Sequence, residues 1–557
     1  MVPAMRTLTL AKTLLPLSFL VSLSLGCTAD DSLNEEDLPG EQLKVDTGDD
    51  GKFDSSVEAT ILDFTFKGEL LTADSWNTTE TINDQLLYTI GHLNGTRGVG
   101  RLDRLVLSNV KTVREGTKTK VTYDARLPVA WGSKTNLPTR YDFVLPRNVD
   151  YAGLEAFTTK YAHSCIDSGA HDVDSGSMWY YYRPKASGCT LADTDVVRTT
   201  ATAEVSAINS SGKYPEYHKV WEDNTLNVVA VFGKYEDNAT STSDAGISAY
   251  NQFVGAIKTA LSSFSPTTIP ATLPAGPGPG TVDVTLKGTL PGGKKIQVNV
   301  LLVDNVSTAS TTFYNRYEEL STAADVIMYN GHAGLGQNVR ALAQKGRFVA
   351  GKYVIVWMNG CDTYAYVDGS LAQKRAVLNP DDPTGTKYME IITNGMPSYF
   401  HSNSRAVMAM INGLLAFDSP KTYEQIFKNV DSSQVVLVTG DNDNVYYPGY
   451  TPGGTPPTPT TWAGLTESFT VARAATKKFE TPVLPVGSYK FELTGTGDGD
   501  LYVQKGSAPT TTSYVCRPYK NGSNETCIVP LTTPGKLFIN VRGYGTTSTV
   551  KLVGKVN

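Results

Sequence analysis

Two short apolar runs, DVIMYNG and KYVIVWMNG, constrain this chain more than any other feature, because neither alternates apolar with polar residues and both are too short for a buried helix. A strand of that kind is buried on both faces and belongs to a parallel sheet whose crossovers are right-handed helices. The neighbouring sequence supplies those helices. DAGISAYNQFVGAIKTAL, TTFYNRYEELSTAA and NVRALAQKG carry helical spacing, TVDVTLKG and KIQVNVLLVD read as strands, and MEIITNG, SRAVMAMINGLLA and QVVLVTG continue the series. Residues 243–445 are therefore predicted to form an α/β domain on a mainly parallel sheet.

The flanks read differently. Across residues 57–238, strand-like runs (ATILDFTFKGELL, RLVLSNVKTV, KVTYDARLPVAWG, LNVVAVFGKY) mix with the helices INDQLLYTIGHL and YAGLEAFTTKYAHSC, which predicts an α+β domain on an antiparallel sheet. Its WYYYRP run reads as a strand with aromatic cross-strand packing. Residues 446–464, YYPGYTPGGTPPTPTTWAG, form an extended Pro/Gly/Thr linker. Beyond it, SYKFELTG, DLYVQKG, SYVCRPY, ETCIVPL, KLFINVRGY and TVKLVGKV predict a small all-β sandwich over residues 465–557. A chain of 557 residues has room for these three domains.

The amino-terminal stretch carries the marks of export. Arg6 and Lys12 flank the start of LLPLSFLVSLSLG, a run short for a membrane span and suited to a signal peptide ending at Cys27. LSLGC resembles a lipobox, which implies lipidation of Cys27 and a membrane anchor; the alternative is a secretory leader cut near Gly26. Residues 28–56 are acidic and poor in apolar side chains, as a disordered tether is. In an oxidising compartment Cys165 with Cys189, and Cys516 with Cys527, each close a short loop, leaving Cys361 as a lone thiol. The net charge of −6 provides no basic field for nucleic acid.

The two apolar strands also carry the chemistry. In parallel sheets, function gathers at the carboxyl ends of strands, and DVIMYNG delivers His332 there while KYVIVWMNG delivers Cys361. If the strands are neighbours, the imidazole can take the thiol proton. Gly331, Gly334, Gly336 and Gly360 permit close backbone approach, and amides near His332 and at Cys361 can form an oxyanion hole. Asp362 and His401 are candidates for substrate binding or orientation. His163, His171 and His218 lack zinc-site spacing, HExxH is absent, and no metal is needed for this chemistry. The loop TGDNDNVYY offers oxygens to a structural calcium ion or a basic substrate side chain, but its composition reads as a solvated turn.

The blocks VIMYNGHAGLG and YVIVWMNGCDTYAY resemble those of the clan CD cysteine peptidases, which include caspases and gingipains. The resemblance covers roughly residues 280–445 and implies a caspase-like fold, with His332 as general acid/base and Cys361 as nucleophile. It also implies an oxyanion hole from the backbone of Ala333 or Gly334 with Cys361, although Ala333 stands where that family often has glycine. The carboxyl-terminal segment, from VGSYKFELTGTGDGDLYVQKG to GKLFINVRGYG, is similar to the bacterial pre-peptidase C-terminal (PPC) domain, which accompanies secreted peptidases and supports the Cys516–Cys527 bridge. The expectation is an exported cysteine endopeptidase acting on protein or peptide substrates without a cofactor. The alternative is a non-catalytic surface binding or adhesion lipoprotein that keeps the same fold. A metalloprotease, which the terminal domain also brings to mind, lacks its zinc motif here.

Overall fold

The unbroken apolar runs of the middle segment line up side by side. The computed structural model describes residues 54–73, 77–170, 172–450, 462–485, 487–511, 513–531 and 535–557. Five mutually parallel strands occupy the centre of a nine-stranded sheet: Lys295–Val303, Thr225–Gly233, Val326–Asn330, Val354–Asn359 and Met389–Asn394, in that order across it. Antiparallel strands close both sides. Val436–Gly440 carries the two-residue strand Ser55–Ser56 beyond it, and Asp283–Thr289 carries Thr267–Ile269. The sheet is mixed, with its parallel part at the centre.

The central strands lack alternation because both of their faces are covered. Val228, Ala230 and Phe232 share a core with Ile247, Phe253, Val407 and Met410, from the helices Ala245–Ala260 and Phe400–Leu414. Val229 and Val231 face the opposite core, with Tyr317 and Leu342 from the helices Thr311–Ala323 and Gln337–Lys345. SRAVMAMINGLLA falls in the helix Phe400–Leu414.

LNVVAVFG differs most from the expected domain plan. Grouped by chain position with residues 57–238, it instead forms Thr225–Gly233 and pairs in parallel with strands on both sides in the middle sheet. The reason is physical: it has the same unalternating pattern as its new neighbours. Ser55–Ser56, expected at the end of a disordered tether, also joins this sheet, and Asp54 is buried under Arg104 at 3.2 Å. The amino-terminal body is thus threaded between two strands of the middle sheet. It consists of a six-stranded antiparallel sheet packed by the helix Thr78–Asn94, with Cys165–Cys189 bridged.

Two shorter expectations also change. Trp179, Tyr180 and Tyr181 lie in one helical turn, Met178–Tyr181, with Tyr182 extended beyond it, and the entry of the turn is held by Ser177 N–H donating to Asp174 Oδ1 at 2.8 Å. The acidic loop at Asp441 is solvated only in part: Asp443 and Val445 are exposed, whereas Asp441 and Asn444 are buried and Asn444 Nδ2 donates to Tyr214 O at 2.8 Å. The carboxyl-terminal segment forms two facing sheets of four and three strands, bridged by Cys516–Cys527. Cys516 contributes an isolated bridge to Val503 rather than a strand of its own.

The amino edge of the middle sheet is held by a buried ion pair. Lys213 Nζ lies 2.5 Å from Glu390 Oε1 and donates to Gly440 O, with both side chains fully buried. Removing one partner leaves the other charge without compensation in an apolar interior. Lys213→Met is expected to cost about 3–5 kcal/mol in urea unfolding, and Lys213→Met with Glu390→Leu should recover most of that loss.

Candidate active site

Register decides whether the two reactive side chains meet. Val326–Asn330 and Val354–Asn359 pair in parallel with Asn330 opposite Asn359, and His332 and Cys361 each follow two places later. Neighbouring strands lie about 4.8 Å apart, so the two loops leave the sheet side by side. Their backbones touch. Gly331 N–H donates to Asn359 O at 3.3 Å, and a Cβ on Gly360 would fall 2.9 Å from Gly331 O and 3.4 Å from Ala333 N. Gly360 is needed here for the approach of the histidine loop.

His332 is exposed, its ring 5.3 Å from that of Tyr235 and 5.0 Å from that of Phe400. Its Nε2 stands 3.1 Å from Tyr235 O. A carbonyl only accepts, so Nε2 carries the proton and Nδ1 is left as the proton acceptor. The His332 carbonyl is fixed by donation from Tyr329 OH and Asn338 Nδ2, each at 2.7 Å.

Cys361 is the free cysteine of the described residues, and its thiol donates to Ser398 O at 3.8 Å. Burial, with the Asp362 carboxylate beside it, pushes the thiol up to about 12. Asp362 is fully buried in a left-handed conformation (φ 52°) and accepts from Asn94 Nδ2 at 2.6 Å and Tyr180 OH at 2.9 Å. Burial raises this carboxyl to about 7, against the opposing pull of Tyr180 and Arg183. Expected to orient substrate, Asp362 faces the amino-terminal body instead. His401 is exposed near the start of Phe400–Leu414, stacked on Tyr399 at 5.7 Å. Among the described residues, no backbone carbonyl accepts from the N–H of Ala333, Gly334 or Cys361, the three amides expected to line an oxyanion hole.

Sequence reasoning missed what lies beneath this pair. Asn330, Asn359 and Asn394 end three adjacent parallel strands, all fully buried, and join through side-chain hydrogen bonds of 2.9 and 2.8 Å. Ser398 and Gln434 add to the network, with Ser398 Oγ donating to Asn359 Oδ1 at 2.8 Å. The signal was present in the sequence: YNGH, MNGC and TNGM repeat Asn-Gly at three strand ends. Tyr180 and Asn94, which hold Asp362, gave no such signal.

Other expected residues lie apart. Cys27 and His171 fall outside the described residues, His163 is exposed, and His218 stacks on Tyr446 at 5.6 Å. No group of three His, Cys, Asp or Glu among the described residues is placed to hold a metal ion.

Comparison with known proteins reaches one end of the chain. Residues 486–543 match the bacterial pre-peptidase C-terminal domain, so the fold ends in a PPC domain. Over 58 residues the chain is 48% identical to "Virulence metalloprotease" of Vibrio anguillarum, covering 10% of each chain. Over 58 residues it is 47% identical to "Zinc metalloprotease" of Helicobacter pylori, covering 10% of this chain and 23% of that one. The solved structure "Solution structure of vEP C-ter 100" is 30% identical, covers 18% of this chain and 96% of that one, and has a TM-score of 0.15. The chain thus spans about a tenth of the length of the first relative it matches.

Two measurements test this geometry. The raised carboxyl of Asp362 carries no charge at low pH, and the folded state bears a growing cost as pH climbs from the ordinary carboxyl range toward about 7. Asp362→Asn is therefore expected to raise stability at pH 7.5 by about 2–4 kcal/mol, with the gain gone by about pH 4 in parallel urea melts. Gly360→Ala presses a methyl group against the Gly331 carbonyl. It should cost about 1–3 kcal/mol, read in the same melts, and slow alkylation of Cys361.

Proposed function

We propose that the chain is an exported cysteine-type endopeptidase in which Cys361 attacks peptide carbonyls and His332 handles the proton. The observation that carries this reading is the in-register pairing of Asn330 with Asn359, which delivers an imidazole and a free thiol to one edge of one sheet. The strand order also favours it, as the histidine and cysteine strands are central, parallel and flanked by helices on both faces. The PPC segment matches relatives named as metalloproteases and one named as an alkaline serine exoprotease, so it favours a peptidase without favouring a catalytic type.

In the proposed reaction His332 Nδ1 accepts the Cys361 proton as sulfur attacks the peptide carbonyl carbon. The resulting oxyanion is received by the amides of Cys361 and the Ala333–Gly334 turn. Collapse passes the proton from His332 to the leaving amine, and water then hydrolyses the thioester by the same route in reverse. A thiol pushed up to about 12 is un-ionised at neutral pH, so proton removal accompanies attack rather than preceding it.

That same raised thiol favours the second reading, a surface binding protein that keeps the sheet but not the chemistry. Reporter peptides carrying Arg, Lys, Asp or Asn before the scissile bond separate the two. The wild type should cleave at least one, Cys361→Ala should lose the activity entirely, and His332→Ala should lose about 10²–10⁴-fold in kcat. Cleavage that survives Cys361→Ala ends the cysteine-peptidase reading.

A further inference from the structure

The buried amide network beneath the two reactive side chains has one hub. Asn359 Nδ2 donates to Asn330 Oδ1 at 2.9 Å and lies 3.3 Å from Asn403 Oδ1. Its Oδ1 accepts from Asn394 Nδ2 at 2.8 Å, from Ser398 Oγ at 2.8 Å and from Gln434 Nε2 at 3.2 Å. One side chain therefore ties the end of the histidine strand to the segment whose Ser398 carbonyl receives the Cys361 thiol. The two functions sit on opposite ends of its amide, with the nitrogen toward Asn330 and the oxygen toward Ser398.

Resting on the dyad reading above, we propose that Asn359 is the positioning residue that sets the distance between His332 and Cys361. Asn330 and Asn359 are the last paired residues of their strands, and only Gly331 and Gly360 separate them from the reactive pair. Those two glycines lie close together, since a Cβ added at Gly360 would fall 2.9 Å from the Gly331 carbonyl, so the link from the Asn330–Asn359 bond to the pair is short and crowded. The arrangement is also directional. Replacing the amide nitrogen by oxygen keeps the three bonds that Oδ1 accepts, the one from Ser398 among them, and removes the two that Nδ2 donates to Asn330 and Asn403, so Asn359→Asp loosens the side-chain tie to the histidine strand.

The test is a double-mutant cycle on the full chain, reading the rate of Cys361 alkylation by iodoacetamide as a function of pH, with urea melts to establish folding. In the wild type His332→Ala should slow alkylation and change the shape of the profile. Asn359→Asp should reproduce that changed shape with a loss of about 10–100-fold, and the double variant should lose no more than either single one. Asn359→Leu, which severs both sides, serves if the Asp variant is poorly folded, and the expectation for it is the same non-additivity with His332→Ala. Losses that add, or an Asn359→Asp profile of wild-type shape, overturn the role of Asn359 and leave the dyad standing. A wild-type profile that His332→Ala does not alter overturns the dyad itself.

Discussion

The proposed site depends on the parallel pairing of Val326–Asn330 with Val354–Asn359. A slip of one residue would carry Cys361 about 3.3 Å along the strand and turn its side chain to the other face of the sheet. Burial on both faces prevents that slip. Ile327 and Val356 belong to one core and Met328 and Trp357 to the other, all at most 1% exposed, so a shifted register would exchange side chains between two filled interiors.

The amino-terminal body has a part in the site that its position in the sequence does not announce. It leaves the middle sheet after Ser55–Ser56 and returns at Thr225–Gly233, and between them it presents Asn94 and Tyr180 to Asp362, the residue after Cys361. Trp179 adds a ring contact to Tyr366 at 6.3 Å in the same loop. These contacts hold the left-handed turn at Asp362, so the amino-terminal body braces the loop that carries Cys361.

What the sequence disclosed follows the range of the interactions involved. Strand and helix identity in the middle segment is local, a matter of apolar spacing, and VIMYN and VIVWMN read correctly as buried strands. The two disulfides were legible because short loops restrict which cysteines can pair. Membership of the sheet is not local. LNVVAVFG was recognisable as a strand, but its place between Lys295–Val303 and Val326–Asn330 is set by partners distant in sequence. His332 and Cys361 stood out by chemical type at strand ends, whereas Asp362 looked like a binding residue because nothing local reveals that Asn94 and Tyr180 cover it.

The two edges of the parallel sheet solve the burial of polar groups in different ways. At the amino edge the solution is charge against charge, with Lys213 on Glu390 and Lys352 on Asp325 at 2.7 Å. At the carboxyl edge the ends of Val326–Asn330, Val354–Asn359 and Met389–Asn394 are joined by amides and a hydroxyl, through Asn330, Asn359, Asn394, Asn403, Gln434 and Ser398, while Lys234 pairs with Asp304 at 2.6 Å just beyond the ends of Thr225–Gly233 and Lys295–Val303. A buried ion pair among Asn330, Asn359 and Asn394 would add a fixed field at low dielectric beneath the thiol and imidazole of the proposed dyad. Neutral amides give directional restraint without such a field. Asp362 adds a buried carboxyl at this edge, on the loop that follows Cys361, and its partners are supplied by the amino-terminal body rather than by the sheet. The amide network beneath Asn330 and Asn359 carries no charge, and the carboxyl beside the thiol is held by the inserted body.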